Sequence, residues 1–97
     1  MKLNTSAKIK ELDGSLSKEL TIGKALANII LFIKSDPLRS YLMATQLYSS
    51  DEFELSDADY TWVKTAVAEH GSEVYVNALV SGQILLALSE LKDKSKK

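Results

Sequence analysis

The chain's single proline, Pro37, comes just after its longest apolar run, "ALANIILFI" (residues 25–33). The residue before a proline is pushed out of helical geometry, and proline itself suits only the first turn of a helix. The apolar run therefore ends at "KSDP", and a new helix starts there with Asp36 as N-cap and Pro37 at the first helical position. Beyond it Leu38, Tyr41, Leu42, Thr45 and Tyr48 recur at helical spacing. They are expected to form the inner face of a helix that closes near Ser49 and Ser50.

The helix before the proline is expected to begin at Thr21, a residue type that caps the free N–H groups of a first turn. Ile22, Ala25, Leu26, Ile29, Ile30 and Ile33 then share one face, and Leu31 and Phe32 widen it, so this helix is expected to be nearly enclosed. Upstream, Leu3, Thr5, Ala7 and Ile9 alternate with polar residues as in a strand with one buried face. Asp13-Gly14 suits a type I′ turn, in which both central residues take positive φ, and residues 15–20 supply a returning strand. An N-terminal hairpin over residues 1–20 follows.

"YSSDEFELSDADYTW" (residues 48–62) carries five carboxylates, Asp51, Glu52, Glu54, Asp57 and Asp59. A calcium loop of the EF-hand type needs glycine at its sixth position and glutamate at its twelfth. Counted from Asp51 these are Ser56 and Trp62, and counted from Asp57 they are Trp62 and Ala68. Neither register fits. A helix start fits better: Ser56 as N-cap, Asp59 closing a capping box, Leu55 and Tyr60 as a hydrophobic staple, and Asp57 and Asp59 offsetting the helix dipole. Glu52 and Glu54 alternate around Phe53 like the outer face of a short extended segment.

This third helix is expected over residues 57–70, with Tyr60, Val63, Ala66 and Val67 inward and Gly71 as a left-handed stop. A fourth is expected over residues 73–91, with Val76, Leu79, Val80, Gln83, Ile84, Ala87, Leu88 and Leu91 as its apolar stripe. Within it, Ala78, Ser81 and Gly82 form a small-residue patch suited to close approach by another helix or another copy of the chain. "KELTIGKAL" and "FELSDADYTW" both place Glu-Leu and a hydroxyl at a helix start. The expected fold is mainly α: a short N-terminal β-hairpin, then a four-helix bundle of two αα-hairpins. Residues 1–91 make one small domain, and residues 92–97, "KDKSKK", a basic flexible tail.

With 97 residues, 45% hydrophobic and 26% charged, the chain fits one folded domain without room for a second. No cysteine is present, which removes disulfides, thiolate nucleophiles and cysteine-bound zinc. A net charge of −1 lacks the concentrated positive field that nucleic-acid backbones require. No secretory segment or bilayer-length apolar run is read, so a cytoplasmic protein without membrane contact is expected. His70 is the one histidine and reads as a helix-end residue. Glycines in phosphate-loop spacing and a strained serine elbow are both missing, and no metal, cofactor or catalytic residue is assigned. Trp62 lies roughly 200° around the helix from Tyr60 and 100° from Val63, at the edge of the buried stripe. With Phe53 and Tyr48 nearby it is a candidate contact anchor, and Asp51, Glu52 and Glu54 supply negative charge around it.

These pieces together resemble a family of small proteins, without assigned activity, found mostly in tailed bacteriophages and prophages. The resemblance rests on Asp13-Gly14, on "ELTIGKALANII" (residues 19–30), on the stretch from Tyr41 through "ELSDAD" to Asp59, and on the closing "YVNALVSGQILLAL" (residues 75–88). It implies a phage-encoded accessory protein acting inside a bacterium. The leading expectation is a non-enzymatic role through protein–protein binding, in assembly or in interference with a host factor, with a basic partner face and some self-association. The alternatives are an oligomeric sponge for a small nucleotide signal, weakened by a single arginine (Arg39), and a small hydrolase.

Overall fold

In a computed structural model of the chain, which describes residues 1–75 and 78–95 with side chains as far as residue 91, three side chains start helices where the sequence places them. The Thr21 hydroxyl accepts from the Lys24 N–H at 3.2 Å, the Asp36 carboxylate from the Arg39 N–H at 3.2 Å, and the Ser56 hydroxyl from the Asp59 N–H at 3.1 Å. The helices they open are α1 (Ile22–Ile30), α2 (Pro37–Ser49) and α3 (Asp57–Val74). A fourth, α4, spans Ala78–Ser95. Three strands precede α1: β1 (Lys2–Asn4), β2 (Lys8–Lys10) and β3 (Leu16–Thr21); β4 (Glu52–Glu54) lies between α2 and α3. The molecule is thus mainly helical, with short antiparallel strand pairs.

α1 is the hub. It packs on α2, α3 and α4, and its Ala25, Leu26, Ile29 and Ile30 are fully buried. Leu47 of α2, Val63 and Val67 of α3, Ile84 and Leu88 of α4, and Leu3, Ile9 and Leu55 from the strand side complete the same core. Burying each such side chain contributes ~1.5–3 kcal/mol against the chain entropy. α1 ends earlier than its apolar run. Phe32 and Ile33 donate to Ile29 and Ile30 in tight final turns, and Leu31 and Phe32 emerge exposed rather than widening a buried stripe.

The N-terminal hairpin is β2–β3, not the whole of residues 1–20. It pairs Lys8 with Thr21 and Lys10 with Leu16, with an irregularity between. Its turn is not type I′. Gly14 alone takes positive φ (90°), the Gly14 N–H donates to the Glu11 carbonyl, and the Glu11 N–H donates to the Ser15 carbonyl. This is a three-residue loop closed by a left-handed glycine, which spares Asp13 the positive φ that a side chain disfavours. On α4, the Gln83 amide donates to the Lys10 carbonyl and accepts from the Lys10 N–H, at 2.7 and 2.8 Å, docking the hairpin on that helix.

β1 leaves the hairpin and pairs antiparallel with β4, setting Lys2 opposite Glu54, Leu3 opposite Phe53 and Asn4 opposite Glu52. The break comes at Thr5-Ser6. The Asn4 side chain accepts from the Ser6 N–H and hydroxyl, both N–H groups of Thr5 and Ser6 donate to the Asp51 carbonyl, and the Thr5 hydroxyl bonds the Ser50 carbonyl.

Two helix readings are corrected by packing. The inner face of α2 is Ser40, Met43, Ala44 and Leu47, while Leu38, Tyr41, Leu42, Thr45 and Tyr48 face out. α1 approaches too closely for tyrosines: a Cβ on Gly23 would collide with the Leu47 carbonyl and stand 2.6 Å from Thr5 Cβ. Small residues fit that gap, and the buried Ser40 hydroxyl is satisfied by the Ile33 carbonyl. α3 runs through Gly71 to Val74 without a left-handed stop. Gly71 faces Ser81, whose Oγ lies 2.5 Å from where a Cβ would stand, so α3 and α4 touch there. Gly82 has open space beside it and Ala78 is exposed, so of the expected small-residue patch only Ser81 makes the close contact. The backbone stays helical to Ser95, past the expected start of a tail at residue 92. Val76 and the side chains of residues 92–97 lie outside the described residues.

Candidate functional site

The caps of α2 and α3 place two charged side chains against each other. Asp36 fixes the first turn of α2, which carries Arg39, and Ser56 fixes the first turn of α3, which carries Asp59. Arg39 Nη2 donates to Asp59 Oδ1 at 2.8 Å. The guanidinium also lies over the Trp62 ring, 4.3 Å from its centroid. Ser56 therefore supplies the helix cap as expected, while the Asp59 carboxylate, expected to close a capping box, is engaged by Arg39. Both partners of the ion pair keep about a third of their side-chain surface in solvent (36% and 28%). Such a pair contributes ~0.2–1 kcal/mol and the ring contact ~0.5–1 kcal/mol, so together they orient more than they stabilise.

Beside this cluster runs an open groove of about 400 Å³, lined by Leu38, Leu42, Met43 and Gln46 of α2, by Phe53 of β4, and by Asp36, Arg39 and Asp59. Phe53 is half-buried, packed against the core on one side and open to the groove on the other. Its place follows from the strand: Leu3 stands opposite it in β1 and is buried. Alternation along β4 then turns Glu52 and Glu54 to the other face of the ribbon, where both are exposed. Glu54 Oε1 accepts from the Met1 amino group at 3.2 Å. Asp51 is exposed, and its backbone carbonyl anchors Thr5 and Ser6.

Of the sequence-selected anchors, Phe53 lines the groove and Trp62 meets it through Arg39, while the Asp51, Glu52 and Glu54 carboxylates do not line it. Trp62 is half-buried, at the stripe edge as its helix angle requires. Tyr48 belongs elsewhere: its ring lies under Lys24 Nζ at 5.4 Å and flanks a second groove between α1 and α2. Sequence reasoning missed Asp36, Leu38, Leu42, Met43 and Gln46 as groove residues, and gave Arg39 no structural partner. The one available signal was that Arg39 and Asp59 each sit at the third position after a capping residue.

His70 lies inside α3, and its Nδ1 is 3.0 Å from Glu73 Oε2 one turn on. Among the described residues, no group of three or more His, Asp or Glu side chains is placed to hold a metal ion. No described helix is long and apolar enough to cross a membrane. No protein-family model, curated protein or solved structure matches the chain.

Proposed function

We propose that the chain is a non-enzymatic binding protein that holds a basic protein segment in the groove between α2 and the β4–α3 junction. On the resemblance described above, its setting is the bacterial cytoplasm, as an accessory protein of a tailed phage or prophage. The scaffold in this reading is a bundle of two αα-hairpins, α1–α2 and α3–α4, supported by the packing within each pair.

The observation that carries the proposal is the groove's composition. Its apolar lining is Leu38, Leu42, Met43 and Phe53, and its charged lining is Asp36, Asp59 and Arg39, two carboxylates against one guanidinium. Apolar anchor positions bordered by negative charge suit a partner with an aliphatic or aromatic anchor flanked by lysine or arginine. The groove's ionisable groups are already occupied, Asp36 as a helix cap and Asp59 with Arg39, which supports binding over proton transfer.

Selection from a random peptide display library tests the proposal. Enriched peptides should carry an apolar anchor next to basic residues, and Leu42→Lys should weaken them at least ~10-fold, a difference of about 1.4 kcal/mol. Because Leu42 is exposed, this variant should keep the wild-type circular dichroism spectrum. Enriched peptides without basic residues, or binding that Leu42→Lys leaves unchanged, would overturn it.

A further inference from the structure

The other flank of α2 carries a second feature, which shares Leu38 with the groove. Leu38, Tyr41, Thr45 and Tyr48 repeat at steps of three and four, the a/d spacing of a helix seam. The three large ones stay in solvent, with Leu38 67%, Tyr41 59% and Tyr48 55% exposed; Leu42, at the ridge, is 50% exposed and Leu31, beside them, 54%. Monomers seldom leave so many large apolar side chains contiguous. Burying the core had no use for them, because the close α1–α2 contact accepts only Ser40, Met43, Ala44 and Leu47.

We propose that this face is a homodimer interface, in which two copies pack their α2 helices antiparallel about a two-fold axis level with residue 43. The positions are symmetric about that level: Leu38 meets the second copy's position 48, and Tyr41 meets its position 45. Large therefore faces large at the ends, and a tyrosine faces a threonine in the middle, which is self-complementary. The middle also has space. A groove of about 320 Å³, lined by Ala27, Leu31, Ala44, Thr45 and the two tyrosines, lies beside Thr45 to receive the incoming tyrosine ring.

Charge and area both favour a second copy. Arg39 is the one charged residue of α2, and it is turned away to Asp59, so among the described residues the charge at this face is limited to Lys24 of α1 over the Tyr48 ring at one end. A helix that lies on a lipid surface would also carry lysine or arginine along its flanks. At roughly 200 Å² for each large side chain, the five residues leave on the order of 550 Å² exposed per copy. Were all five fully covered, two copies would bury about 1,100 Å² before the polar rim is counted, close to the ~1,200 Å² at which stable interfaces begin.

The test is the mass of the full chain by sedimentation equilibrium across the micromolar range, with Tyr41→Glu as the disrupting variant. The wild type should pass from monomer to dimer, and Tyr41→Glu should remain monomeric with an unchanged circular dichroism spectrum. Since the chain has no cysteine, orientation can be read from introduced ones. Mixing Tyr41→Cys with Thr45→Cys should give the mixed disulfide, and Leu38→Cys alone should give none. A wild type monomeric at several hundred micromolar overturns the proposal, as does a Tyr41→Glu dimer. Rapid disulfide formation by Leu38→Cys overturns the antiparallel arrangement. Leu38 and Leu42 border both the groove and this face, but Tyr41 lies outside the groove. Tyr41→Glu should therefore still bind the selected peptides, and its mass and its peptide binding report on the two proposals separately.

Discussion

Three helical glycines should respond to alanine with three different outcomes, because each faces a different neighbour. At Gly23 a Cβ would meet the Leu47 carbonyl, Thr5 Cβ at 2.6 Å and the Thr5 carbonyl at 3.0 Å. Carbon contacts are comfortable near ~3.5–4.0 Å, so the overlap approaches 1 Å and falls on backbone that cannot rotate away. Relief requires α1 to retreat from the β1–β2 link, which stretches the 3.0 Å bond from the Gly23 N–H to the Thr5 carbonyl. Overpacking costs ~1–3 kcal/mol and the lost bond ~0.5–1.5, against a helix-propensity gain of ~1 kcal/mol for alanine. The net loss is about 2 kcal/mol, or a fall in Tm of roughly 8–16 °C for a domain of this size.

At Gly82 nothing stands within 4 Å, so Gly82→Ala keeps only the propensity term and should gain ~1 kcal/mol. Gly71→Ala falls between, since its nearest neighbour is the Ser81 hydroxyl, which can turn, while Ser81 Cβ at 3.2 Å must give by only a few tenths of an ångström. That hydroxyl is buried without a hydrogen-bond partner, so turning it sacrifices no bond, and Gly71→Ala should stay within ~1 kcal/mol of wild type. Urea titrations of the three variants, followed by helical circular dichroism, give the order Gly82→Ala, Gly71→Ala, Gly23→Ala from most to least stable. Gly23→Ala at or above wild-type stability would refute the close α1–α2 approach, and with it the reason that α2 turns its large residues outward.

Ser56→Ala should cost ~0.5–2 kcal/mol by removing the α3 cap, and calcium should leave the melting temperature of either protein unchanged. Arg39→Ala should cost about 1 kcal/mol and alter the emission of Trp62, the chain's one tryptophan; an unchanged spectrum would place the guanidinium elsewhere. The Asp13 carboxyl is held below its ordinary value by the Ser15 hydroxyl and then by the Ser15 N–H. A lowered folded pKa contributes stability above the unfolded value that is lost as pH falls through the folded one, so Ser15→Ala should move the Asp13 NMR titration upward and weaken the hairpin only above that range.

Helix starts were legible because capping is local. Thr21, Asp36 and Ser56 each act within three residues of themselves, and each opens its expected helix. Spacing alone could not choose the buried face of α2, because that helix carries two apolar stripes. The stripe of larger residues lost to the smaller one for a reason held in another segment, the absence of a side chain at Gly23. The destination of β1 was hidden for the same kind of reason. Leu3 to Ile9 alternates well enough for one strand, but the Thr5 and Ser6 amides find the Asp51 carbonyl some forty-five residues away. Gly71 reads as a stop by residue type; it stays helical, and its missing side chain leaves the room that Ser81 of α4 fills.

The acidic stretch also divides its work in a way that bears on the proposed partner. Because Ser56 caps α3, Asp59 is free to bind Arg39, and that end of the groove is locally neutralised. Asp51, Glu52 and Glu54 remain exposed but do not line the groove, and the two glutamates stand on the face of β4 opposite Phe53. Successive side chains point to opposite faces of a strand, so the glutamates act on the groove through space, over which a Debye length of ~8 Å at physiological ionic strength screens them. Their field can draw a basic segment toward the groove yet contributes little once the segment is seated. Retention must come from apolar contact with Phe53 and Leu42. Salt should therefore slow association of a selected peptide and leave its dissociation rate nearly constant, whereas Phe53→Ala should speed dissociation and leave the salt dependence of association intact. A dissociation rate that rises steeply with salt would place the carboxylates in direct contact with the peptide and refute this division.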